Sequence, residues 1–123
     1  MTWELASDRP IYRQLVEQIE LRIISGHYQP GERLPSVRDL AAEVSVNPNT
    51  MQKALTDLEQ SGLVYAQRTS GRYITEDEKM IGDLKNELAK KQIQEFIEKM
   101  ERLGFTVQDT IRLITATKEG PLQ

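Results

Sequence analysis

LPSVRDLAAEVSVNPNTMQKALTDL, running from Leu34 to Leu58, carries two helix-start signals separated by one short turn. Ser36 can accept a hydrogen bond from an unpaired backbone N–H of a first helical turn, and Asp39 follows where a capping box takes an acid. The second start is sharper. Asn47 is a capping residue, and Pro48 falls at the first helical position, where its missing N–H costs nothing and its fixed φ suits the helix. Val44-Ser45-Val46 leaves room only for a tight turn, so the stretch predicts a helix-turn-helix.

At about 100° per residue, Met51, Ala54, Leu55 and Leu58 form one apolar stripe on the second helix. Asn49, Gln52, Lys53 and Thr56 cluster opposite, with no acid among them, and such side chains pair with base edges or phosphate oxygens. A solvated polar face has the same composition, so the flanking segments decide. Gly62 ends the helix. Leu63–Gln67 and Arg72–Thr75 read as short strands rich in β-branched and aromatic residues, joined by the turn Arg68-Thr69-Ser70-Gly71. A hairpin directly after a recognition helix is a wing. Arg68 and Arg72 are expected to flank its tip and touch phosphates, with Gly71 allowing close backbone approach.

The segment from Pro10 to Thr75 resembles the winged-helix DNA-binding domain of GntR-family bacterial transcription regulators. The residues that carry the likeness are an amphipathic helix, then PG-x-R-LPS-x-R-x-LA, V-N-P-N-T, a leucine-rich helix, a G-L-V step and a glycine-containing wing. The NPNT form with a short helical tail is similar to the YtrA-like subfamily. The resemblance implies operator contacts from Arg38, from the start of the recognition helix (Asn47, Asn49, Thr50) and from the wing glycine Gly71, and Ser70 beside it is a further candidate contact. Many relatives carry arginines inside the recognition helix. This chain has Pro48 and Gln52 where those could fall, so the family's usual base contacts do not all carry over.

Upstream, Pro10 opens a helix from Ile11 to about Ser25, with Asp8 as its expected cap. Ile11, Tyr12, Leu15, Val16, Ile19 and Ile23 share a face on which the helix-turn-helix should pack. Trp3 and Leu5 precede it in an extended arm, and Trp3 is expected to pack on a partner helix. Downstream of the wing, residues 76–123 hold eight basic and ten acidic side chains and no strand signal. Leu84, Leu88, Ile93, Phe96, Ile97, Met100 and Leu103 trace a helical apolar stripe, with a phase shift near Lys90-Lys91. Gly104 stops that helix, and Thr106 with Asp109 boxes the start of another that presents Ile111 and Ile114. The αα-hairpin so formed has more apolar surface than it can bury alone, and a second copy of the chain is its expected cover.

The expected architecture is mainly α with a small β wing. Residues 1–75 form a winged helix-turn-helix DNA-binding domain, and residues 76–123 a C-terminal helical dimerisation appendage. With 123 residues there is room for one modest core and a tail. The net charge of −3 gives no bulk basicity, and between Arg33 and Arg72 five basic residues face four acids, a thin footprint for DNA. The absence of cysteine removes disulfides and thiolate chemistry. His27, the lone histidine, stands in a turn, and no nucleophile set, phosphate loop or metal-ligand spacing is present, so no enzyme, cofactor or metal site is expected. No stretch is apolar enough to span a membrane, and the expected compartment is the cytoplasm.

The expected function is sequence-specific transcription regulation, as a repressor, on an inverted-repeat operator of double-stranded DNA bound by a homodimer. The alternative is a winged helix that docks another protein, because folds do not fix function. A small-molecule effector is compatible with DNA binding. The appendage is too small to enclose one, so any effector would sit at the dimer interface or between hairpin and winged helix.

Overall fold

Ser36 and Asn47 cap their helices as their positions predict, and these two starts fix the centre of the computed structural model, which describes residues 2–119. Ser36 Oγ accepts from Asp39 N–H at 3.1 Å at the head of α2 (Val37–Val44). Asn47 Oδ1 accepts from Asn49 N–H at 2.7 Å at the head of α3 (Pro48–Ser61). Between them Ser45 takes a left-handed conformation, φ 62°. The N–H groups of Ser45 and Val46 then close back on Ala42 and Ala41, the arrangement that satisfies the last carbonyls of a helix and reverses the chain in minimum length.

The preceding helix α1 (Ile11–Ile24) lies beneath this pair. Its Leu15, Ile19 and Ile23 are buried with Leu40 and Ala41 of α2 and with Met51, Ala54, Leu55 and Leu58 of α3. The apolar stripes read from the sequence therefore meet in one core. Asp8 does not cap α1. Pro10 occupies the cap position with no side-chain hydrogen bond, and Gln14 instead ties down the arm through Ala6 and Arg9. The arm packs on its own domain: the Trp3 ring covers the Arg22 guanidinium at 3.6 Å, and its indole N–H donates to Glu43 of α2 at 2.6 Å.

Strands β1 (Val64–Gln67) and β2 (Gly71–Ile74) pair antiparallel, Val64 opposite Ile74 and Gln67 opposite Gly71. A third segment, to which the sequence reading assigns no element, joins them. Arg33 bridges Tyr73, Leu34 N–H donates to Arg72 O at 2.8 Å, and Ile74 N–H donates to Glu32 O at 2.9 Å.

Helix α4 (Glu78–Arg102) starts at Asp77, whose carboxylate accepts from Met80 N–H at 3.1 Å. Met80, Ile81 and Leu84 pack against the winged-helix core, Met80 filling the space over Gly62. The chain divides into two compact units, Met1–Leu84 and Lys85–Gln123. The second holds the rest of α4 and α5 (Val107–Glu119), which begins in a reciprocal box: Thr106 N–H donates to Asp109 Oδ2 and Asp109 N–H to Thr106 Oγ1, both at 3.0 Å. Among the described residues no helix is long and apolar enough to cross a membrane.

Candidate nucleic-acid interface

Helix α3 turns its buried stripe to the core, so its opposite face is left to solvent. Asn49 and Gln52 are exposed and Thr56 is half-buried. Gln52 Nε2 donates weakly to Thr56 Oγ1 at 3.4 Å, a bond a base edge can replace. Thr50 is half-buried at the first turn. Asn47, expected among the contacts, spends its side-chain oxygen on the cap. Lys53 is exposed, but its ammonium rests over the Tyr12 ring of α1 at 3.7 Å, with Arg13 at 5.7 Å from the same ring. This cation–π contact holds Lys53 at the α1 side of the face.

Arg38 is exposed in the first turn of α2, and Arg68 is exposed in the wing turn. Neither forms an ion pair among the described residues. Ser70 is half-buried and donates to Gln67 Oε1 at 3.2 Å within the turn. Gly71, with φ 113°, opens β2. Arg72 departs from its expected place at the tip. It lies within β2 opposite Ala66, and its Nε donates to the Glu59 carboxylate at the end of α3. That guanidinium ties wing to helix, and the Arg72 side chain is only 21% exposed.

The signal that could have revealed this is the two-residue period of a strand, which puts Arg72 on the same face as the buried Ile74. The same pair takes Glu59 out of the free acids. Arg33 is the cation the sequence reading missed. It is exposed beside Gly71, where a Cβ would come within 3.0 Å of its Nε.

In the second unit, Ile93, Phe96, Leu103, Ile111 and Ile114 are exposed, while Leu88, Ile97 and Met100 are half-buried. Leu84 leaves this set, because it packs on the winged-helix core. Leu113 and Phe105 join it, both exposed and both outside the stripe read from the sequence. Phe96, Met100, Leu113 and Ile114 line an open apolar cleft of about 480 Å³ on the hairpin. No group of histidine or carboxylate side chains is placed to hold a metal among the described residues.

Residues 11–74 match the bacterial regulatory proteins of the gntR family. The chain belongs to the GntR family. It is 34% identical to the HTH-type transcriptional repressor YtrA of Bacillus subtilis over 118 residues, covering 93% of this chain and 91% of that one. A GntR family transcriptional regulator from Listeria monocytogenes superposes with a TM-score of 0.84 at 38% identity, over 90% of this chain and 97% of that chain. The DNA-binding domain of AraR, in a structure with its operator ORE1, matches with a TM-score of 0.53 and 28% identity, over 61% of this chain and 94% of that chain.

This GntR-family chain is thus a transcription regulator with a helix-turn-helix domain and not an enzyme. Its likeness to YtrA extends through the helical tail.

Proposed function

We propose that the chain represses transcription in the cytoplasm by binding an inverted-repeat operator as a homodimer. Residues 1–75 read the DNA and residues 76–123 join two copies. One observation carries this reading. The chain presents a capped helix with an acid-free polar outer face and, on a separate unit, an apolar helix surface that its own residues leave bare.

Arg38 and Arg68 anchor phosphates, which sets affinity and its salt dependence. Asn49, Gln52 and Thr56 face the major groove, where amide side chains pair with adenine edges. Thr50 and the backbone at Gly71 approach the sugar-phosphate chain, and Lys53 flanks the site from its seat on Tyr12. The name of the YtrA relative supports repression, and the AraR domain seated on its operator supports DNA as the partner.

On the second unit, Ile93, Phe96, Ile97, Met100, Leu103, Ile111 and Ile114 form the self-complementary surface, with Leu88 at its border. A twofold axis through such a patch pairs each residue with its counterpart and relates the two recognition helices, which is why the operator repeats are inverted. A small-molecule effector of this regulator would be apolar. The cleft beside Phe96 and Ile114 is part of the dimer surface, so such a molecule would act by competing with or bridging the paired hairpins.

The test is a footprint of the full-length protein on a site selected from random duplexes, with sedimentation of the free protein. Two matching protected half-sites centred about one helical turn apart, or a multiple of it, are expected. A monomer at about 10 µM would contradict the pairing, since a stable homodimer dissociates far below that concentration.

A further inference from the structure

The segment entering the wing carries a cation that the reading face above does not use. Its backbone is locked to β2: Gly31 N–H donates to Ile74 O at 2.9 Å, Ile74 N–H to Glu32 O at 2.9 Å and Leu34 N–H to Arg72 O at 2.8 Å, with Arg33 bridged to Tyr73. Side chains alternate along such a segment, and Leu34 is buried, so Arg33 points outward. Its guanidinium lies against Gly71. A Cβ there would sit 3.0 Å from Nε and 3.3 Å from Nη2, inside the space the arginine occupies.

Two arginines of this wing therefore differ in kind. Arg72 is turned inward and neutralised by Glu59. Arg33 is exposed and forms no ion pair among the described residues.

We propose that Arg33 is a phosphate-binding residue of the wing, seated by the missing side chain of Gly71 and acting beside Arg68. The inference rests on the DNA reading given above. A planar guanidinium offers paired donors that match phosphate oxygens. Fixing its backbone in a paired strand leaves less freedom to lose on binding than a turn residue has. Gly71 then leaves the room in which the arginine sits, besides its own backbone approach to the DNA.

The experiment titrates full-length protein onto its selected operator and onto an unrelated duplex across a range of salt, with a thermal melt of each variant. Arg33→Ala should bind both duplexes about tenfold more weakly, the worth of one charge-assisted contact. The slope of log affinity against log salt should shrink by about one unit, while the melting temperature is unchanged. Arg33→Lys should keep most of the slope.

Unchanged affinity and slope in Arg33→Ala would overturn the proposal. So would a loss confined to the operator at constant slope, which would mean base reading. Wild-type protein that bound neither duplex would overturn the DNA reading itself, a result separate from these.

Discussion

The two units of this chain solve opposite problems with the same kind of helix. In Met1–Leu84, the apolar stripes of α1, α2 and α3 close on one another and leave Leu15, Ile19, Leu40, Met51 and Leu55 fully buried. In Lys85–Gln123, no residue of the α4 stripe is buried, and Phe96, Ile111 and Ile114 are roughly half exposed. Crossing three helices and a sheet gives each stripe a partner. A hairpin of two gives each only one. The difference separates a part that holds its shape by its own contacts from a part whose apolar face calls for another surface.

That contrast can be broken most directly by matched truncations. Leu55→Ala, in the core, should cost about 2–5 kcal/mol of folding stability. This loss should not depend on protein concentration. Phe96→Ala should leave a dilute monomer nearly as stable as before, yet cost the dimer on the order of 3 kcal/mol, about a hundredfold in its dissociation constant. Denaturant melts at two concentrations and sedimentation velocity check both. A Phe96→Ala protein that dimerised like the wild type would mean that the bare face is not the joint.

In the proposed binding mode, the winged helix divides its contacts between bases and phosphates. Gln52→Ala should relax preference at one position of each half-site, at roughly 1–3 kcal/mol, as binding to operators varied at that position would reveal. Arg72→Ala sharpens the distinction from the other side. Because its partner is Glu59, the change should cost about 1 kcal/mol or less of stability, as expected of a partly exposed pair, and leave the salt slope of DNA binding intact. A shallower slope in Arg72→Ala would return that arginine to the phosphate contacts.

What the sequence discloses and what it hides follow from range. Ser36, Asn47-Pro48, Gly62 and Thr106 with Asp109 act through hydrogen bonds to neighbours three or fewer residues away, so their residue types announce them. The core of α3 was equally legible, since Met51, Ala54, Leu55 and Leu58 follow one period. Arg33, Arg72, Lys53 and Trp3 were not. Each takes its role from a partner on another element: Gly71, Glu59, Tyr12, and Arg22 with Glu43. A one-residue bridge at Arg33 has no periodicity to read, and the inward turn of Arg72 depends on Glu59, a partner on another element. Leu84 and Leu88 share a stripe on α4, and only packing shows that the first belongs to the head.

The smallest expected effect concerns the hairpin's second helix. The Thr106 backbone N–H, then its hydroxyl and Arg112, hold the Asp109 carboxyl below its ordinary value. A carboxylate depressed in the folded state stabilises it fully above its unfolded value, near 3.8, and loses that contribution as pH falls through the lower folded value. Helicity of the hairpin should therefore decline at that acid edge, and Asp109→Asn should flatten the decline in a circular dichroism titration. Thr106→Ala should cost about 1 kcal/mol at neutral pH.

The central claim is that two reading heads engage one operator because the hairpins join them. Full-length protein titrated onto a whole operator and onto an isolated half-site tests it most directly. Joining makes the second engagement intramolecular, so the whole site should be bound about 10²–10⁴-fold more tightly than the half. Equal affinity for the two would contradict it.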